Sequence, residues 1–296
     1  MRPTPTGAPL TAGDRTATLT GIGFVVLGVT LFAVMDACSK TLAETQSLLQ
    51  IVWARYAFAV PVILATTPRA LWPVLFRVAS PALQACRGLL PMAASFTVVA
   101  GLALLPLAEV TALTFASPLV VVALSGPLLR ERTSPHDWLG VLVGFAGILV
   151  IVRPGAGAIA WAALLPLTCA VCFALFQLTT RLVGRSDHPA ATLAWTIAVG
   201  LVVTTPLLLL DWRPLGARAW GVMILSGLCF GAAQFCLARA YLNAPAALLA
   251  PFTYTQIAPA VVLGFVLFGT VPDLWAALGT AIVIGAGLYV LHRRAR

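Results

Sequence analysis

The sequence predicts an all-α integral membrane protein, with ten transmembrane helices arranged as two inverted five-helix repeats. Three observations carry that expectation. First, the chain is 60% hydrophobic and only 9% charged, with a mean hydropathy of +1.00. A soluble domain is about one quarter charged, so this chain lacks the polar surface that water requires. Second, its apolar residues form continuous runs of about 20, the length at which a helix spans a bilayer with its backbone groups satisfied. A barrel would alternate instead. Third, the two halves of the chain align with one another.

Taken in order, the first 18 residues (1–18) are polar and rich in Pro and Thr, and read as a disordered cytoplasmic N-terminus. The apolar run that follows is long and has no clear small-residue cleavage site, so it is read as an uncleaved span, not a signal peptide. Ten runs are expected, at about 19–43, 49–67, 83–105, 107–129, 138–152, 158–183, 190–210, 219–241, 246–269 and 273–292. The third and fourth are parted only by Leu105 and Pro106. Between the fourth and fifth, Arg130, Glu131, Arg132, His136 and Asp137 crowd into one tight turn, where Pro135 helps to break the helix. Trp138 follows at the depth of an interfacial aromatic belt. The first repeat is placed at 19–153, and the second, with a short cytoplasmic tail, at 154–296.

The net charge of +9 does not point to nucleic acid. With a cytoplasmic N-terminus, thirteen basic residues fall in inside segments: Arg2, Arg15, Arg69, Arg77, Arg87, Arg130, Arg132, Arg181, Arg185, Arg239, Arg293, Arg294 and Arg296. Only Lys40, Arg153, Arg213 and Arg218 fall outside, with Arg55 set aside within a span. This bias fixes both termini in the cytoplasm. The six cysteines lie in apolar spans, and Cys169 and Cys172 have CxxC spacing but no second pair or nearby His, so packing is the reading. There is no HExxH, P-loop or GxSxG, and the three His are scattered. No enzyme, cofactor or metal is expected.

The internal repeat is readable residue by residue. At an offset of 141, Phe32, Ala33, Asp36 and Lys40 meet Phe173, Ala174, Gln177 and Arg181. At an offset of 139, Ala93, Ser95, Phe96, Pro106, Thr114 and Gly140 meet Ala232, Gln234, Phe235, Pro245, Thr253 and Gly279. Five spans per half turn the second copy upside down, and such repeats commonly meet around a site near the midplane.

Residues 87–155 carry an Arg opening span three, the "LPLAEVTAL" linker, the "SP" of span four, Glu131 and the "WLGVLVGFAGILVIVRPG" fifth span. This stretch resembles the first repeat of the EamA-type family of the drug/metabolite transporter superfamily, and 250–291 resembles its second repeat. Thr270 departs from the acidic residue that usually ends span nine, which weakens any coupling role for Glu131. The resemblance implies a bacterial inner-membrane exporter of small metabolites, amino acids first, working by alternating access. A carrier of a nucleoside, a vitamin or a drug-like cation is the alternative. A non-transporting membrane protein or an intramembrane enzyme is the remoter one. The partners implied are the small-molecule substrate and the lipid bilayer, with the chain a monomer or weak homodimer.

Polar groups inside apolar spans are costly in lipid and mark cavities. Asp36 shares a helix face with Ser39 and Lys40. It reads either as a substrate-ammonium or proton site, or as the internal partner of Lys40. Arg55 reads as snorkelling to the headgroups. Ser95, Gln177, Thr180, Gln234 and Gln256 form a polar set across four spans, with Phe96, Phe176, Phe235 and Tyr254 as aromatic walls. Interhelical hydrogen bonding and core packing are the alternatives for these groups. Gly140 with Gly144, and Ala281 with Gly285, suit close helix packing.

Overall fold

A computed structural model describes residues 12–129, 135–153, 161–183, 186–244 and 246–294. Residues 1–11 of the expected disordered terminus and the turn at 130–134, with Glu131, lie outside the described residues. Every regular element among the described residues is helical. Helices α1 to α7 are Ala12–Ala43, Leu48–Ala57, Ala59–Thr66, Pro81–Leu104, Leu107–Thr114, Ser117–Leu129 and Pro135–Val152. Helices α8 to α13 are Leu164–Val183, Pro189–Leu208, Ala217–Asn243, Ala246–Thr253, Ile257–Phe268 and Leu274–Arg294. Among the described residues seven segments are long and apolar enough to cross a bilayer, and shorter apolar helices occur at Trp138–Val152, Leu164–Thr180 and Leu274–Tyr289.

Three apolar runs that the sequence shows as continuous are interrupted, and proline explains each break. Pro61 has no N–H for the Ala57 carbonyl, and the chain parts into α2 and α3 at Phe58. Pro118 likewise cannot bond Thr114, and α5 ends there. Pro259 cannot bond Thr255, and Tyr254–Gln256 tighten into a 3₁₀ turn between α11 and α12. Pro135 starts α7 instead of ending α6, since the first helical turn needs no N–H from it. At the other end of the scale, α1 begins at Ala12, ahead of its apolar run, and at 32 residues is about 48 Å long.

The two halves interlock rather than sit side by side. Helix α1 packs most extensively on α10, α4 on α8 and α7 on α13, while α2 packs equally on α9 and α10. Glycines set the closest crossings. A Cβ on Gly88 would lie 2.8 Å from Val199 Cβ, and one on Gly227 would lie 2.4 Å from the Ala54 carbonyl oxygen. These two glycines occupy the same register, 139 residues apart. Close packing of α7 on α13 falls at Gly147 and Gly279, where a Cβ on Gly279 would meet the Gly147 carbonyl oxygen at 2.6 Å. Gly285, expected at that seam, has open space beside it. Thr270 serves as turn structure: its hydroxyl donates to the Gly264 carbonyl at 3.1 Å, closing α12 behind left-handed Gly269.

Candidate functional site

The centre of the bundle holds an ion pair. Arg55 is 2% exposed and donates from Nη2 to Asp36 Oδ1 at 2.9 Å. Ser39, one turn along α1 from Asp36, accepts from Arg55 Nε at 3.2 Å and Nη2 at 2.8 Å. Arg55 therefore does not snorkel: a carboxylate and a hydroxyl on the facing helix satisfy its guanidinium inside the protein. Lys40 is not the partner of Asp36. Its Nζ donates to the Leu102 and Leu105 carbonyls, each at 2.7 Å, and stands 5.4 Å from the Phe268 ring. It caps the C-terminus of α4, where cations match the helix dipole.

Around the pair lie unspent hydrogen-bonding groups. Tyr56 is fully buried with an unpartnered hydroxyl beside Ser95, itself 8% exposed on α4. Cys169 of α8, next to Thr114 of α5, is within electrostatic reach of Asp36 and Arg55. Phe230 closes on Tyr56 at 5.6 Å and Phe32 at 6.2 Å between ring centroids. So α1, α2, α4, α5, α8 and α10 converge on one polar centre with an aromatic rim. Phe96 packs against this core.

A second cluster gathers at the N-terminal end of α4. Arg87 is 1% exposed although it opens a span. It donates to Gln84 Oε1 at 2.9 Å, Thr180 Oγ1 at 3.1 Å, the Thr192 carbonyl at 2.6 Å and Thr196 Oγ1 at 2.7 Å. Phe176 offers its ring face 4.9 Å from the guanidinium carbon. Gln84 donates on to Asp187 at 2.7 Å, and Asp187 also accepts from the Ala79 N–H at 2.9 Å. These bonds hold the Asp187 carboxyl below the usual carboxylate range, the Ala79 N–H first.

The other expected residues are dispersed. Tyr254, 6% exposed, stacks on Phe115 at 4.9 Å, its hydroxyl unpartnered. Gln256 is half-buried in the same 3₁₀ turn. Gln177 and Gln234 are half-buried, and among the described residues the amides of Gln177, Gln234 and Gln256 form no hydrogen bond. Phe235 sits under Arg239, an exposed residue, at 5.8 Å, away from the Asp36 pair. Thus Asp36 and Ser95 join the centre, Thr180 joins the Arg87 cluster, and Phe235 joins neither. Arg55, Tyr56, Gln84, Arg87 and Asp187 are the additions. The Gln84 to Arg87 spacing of one turn inside an apolar run is the signal that points to the second cluster. The six cysteines are free thiols, four of them buried.

The model of the EamA-like transporter family matches residues 19–153 and again 160–291. The chain belongs to the EamA-like transporter family. It is a multi-pass membrane protein. Among curated relatives, a riboflavin transporter of Rhizobium johnstonii is 30% identical over 67% of this chain and 66% of its own. The S-adenosylmethionine uptake transporter of Rickettsia felis is 23% identical over 93% of both chains. A pseudopaline exporter of Pseudomonas aeruginosa is 27% identical over 90% of this chain and 94% of its own. The match thus spans about two thirds of the length of the Rhizobium riboflavin transporter and nearly the whole of the other two. A solved crystal structure shares the fold, with a TM-score of 0.65 at 20% identity over 95% of this chain and 97% of that one.

Proposed function

We propose that the protein carries small metabolites across the bacterial inner membrane by alternating access between two inverted five-span repeats, with both termini cytoplasmic. The observation that carries this reading is the Asp36–Arg55 pair, buried at the helix convergence beside the Tyr56 hydroxyl and Ser95. Ionisable groups at such depth are expensive and mark transport paths. The interlocked helices and the matching registers of Gly88 and Gly227 support the repeat.

The substrate we place first is a zwitterion such as an amino acid, moved outward. The pair is neutral as it stands, and a zwitterion keeps it neutral, whereas a lone anion or cation leaves an uncompensated charge in a low dielectric. A second reading, a vitamin carrier, rests on the similarity to riboflavin transporters at 28–32% identity. Relatives named for uptake and for export align along most of the chain, so direction enters the test. Purified protein in liposomes, loaded in turn with labelled amino acids, riboflavin and S-adenosylmethionine, separates these readings. Failure to move any of them in either direction sinks the carrier reading for these classes.

A further inference from the structure

Among the described residues two guanidinium groups are buried, and they tie the bundle together differently. At the offset of 141, Ser39 corresponds to Thr180, and each hydroxyl accepts from one of them: Ser39 from Arg55, Thr180 from Arg87. Among the described residues Arg55 bonds to α1 alone, its neighbour in the same half. Arg87 also comes from the first half, yet every bond it makes beyond α4 reaches the second: Thr180 on α8, and the Thr192 carbonyl and Thr196 on α9. Aligning Trp53 with Trp195 puts Ile197 where the first half has Arg55. Arg87 therefore supplies, from the opposite half, the cation that the second repeat lacks.

Gln84 and Asp187 lengthen this seam, and Gly88 lets α4 close on Val199. At the opposite end of the bundle the halves meet through Ser47 on the Asp211 carbonyl at 2.9 Å, Gln50 on the Arg213 carbonyl at 2.8 Å, and the Arg153–Asp273 ion pair, which is exposed rather than buried. A dry guanidinium seam is strong while complete, and parting it in apolar surroundings would strand a cation. It can part only where water follows. That makes it a two-position element, not a continuously deformable one.

We infer that Arg87 is the latch of the transport path at its own end: its bonds to Thr180, Thr192 and Thr196 close that end and must part when it opens. The Asp36–Arg55 pair, held within one half, stays made throughout. This rests on the two-repeat carrier reading.

The test reads each end separately. A single cysteine at Gln177, in full-length protein with its native cysteines replaced, is labelled by a membrane-impermeant thiol reagent from either side of oriented liposomes. Arg87→Met is expected to speed labelling from the Arg87 side roughly tenfold and slow it from the other. A merely structural role would speed both sides. Equal acceleration, or none, overturns the latch. Where Arg87→Met does not fold, a cross-link made with Arg87 in place decides. Gln84→Cys with Asp187→Cys, bridged by a short reducible bis-thiol reagent, should stop transport, and reduction should restore it. Undiminished transport by the bridged protein overturns the proposal. Asymmetric labelling in a protein that moves no metabolite supports the latch and sinks the carrier reading alone.

Discussion

Phe115 and Tyr254 stack with their ring centroids 4.9 Å apart, and they are the same position in the two halves, 139 residues apart. Each ring sits at a proline-induced break, one between α5 and α6 and one between α11 and α12. The two proline breaks therefore meet at this ring contact.

Replacing Tyr254 with Ala should therefore cost about 3–5 kcal/mol, as for other buried rings. Tyr254→Phe removes only the unpartnered hydroxyl and should leave stability within about 1 kcal/mol of the parent. Thermal unfolding in detergent measures both. Equal losses for the two would show that the hydroxyl, not the stack, matters.

Asp36→Asn leaves the Arg55 cation buried without its counter-ion, a loss of about 3–5 kcal/mol. Adding Arg55→Met should restore most of that stability, and adding Lys40→Met should not. Unfolding midpoints of the three variants decide it, and recovery by Lys40→Met would undo the assigned pairing. If the pair also recognises substrate, the rescued Asp36→Asn, Arg55→Met protein stays inactive in liposomes.

Lys40→Met removes both donors from the end of α4. Leaving the Leu102 and Leu105 carbonyls unbonded should cost about 1–3 kcal/mol, and Lys40→Arg should lose less. Hydrogen exchange in the last turn of α4 should rise in Lys40→Met alone. No change there would mean that the cap is dispensable.

Acid should weaken the molecule at two loop carboxylates. Asp273 is held below the ordinary carboxylate range by the Ala276 N–H and then by Arg153, and Asp187 by the Ala79 N–H and Gln84. A depressed carboxyl stabilises the fold above its unfolded pKa, about 3.9, and that stability is lost as pH falls through the folded value. Melting temperature should hold between pH 5 and 7, on the order of the usual optimum, and drop below about pH 4. Asp187→Asn with Asp273→Asn should flatten that drop.

The apolar helices were legible because lipid imposes length and continuity on every apolar run. The breaks at Phe58, Phe115 and Tyr254 were signalled by Pro61, Pro118 and Pro259 but hidden by unbroken hydropathy, which does not register a missing N–H. The partner of Asp36 was not legible. Lys40 lies one turn away on the same helix, whereas Arg55 reaches it only through the packing of α2 on α1. For Arg87 the positive-inside pattern suggests a wet headgroup position, yet Thr180, Thr192 and Thr196 arrive from 93 to 109 residues on and bury it. Local sequence fixes which groups are polar; the crossing of the halves decides which of them meet.

The packing of α1 on α10 has a consequence for biosynthesis. Helix α1 leaves the ribosome well before its most extensive neighbour, residues 217–243, has been made. Until then Asp36 would face lipid as a bare charge, at a cost that opposes insertion. Arg55 is only 19 residues behind it, on the next helix. The two helices can enter the bilayer as a self-neutralised hairpin, so the ion pair would accompany the nascent chain through the translocon long before a carrier exists to use it.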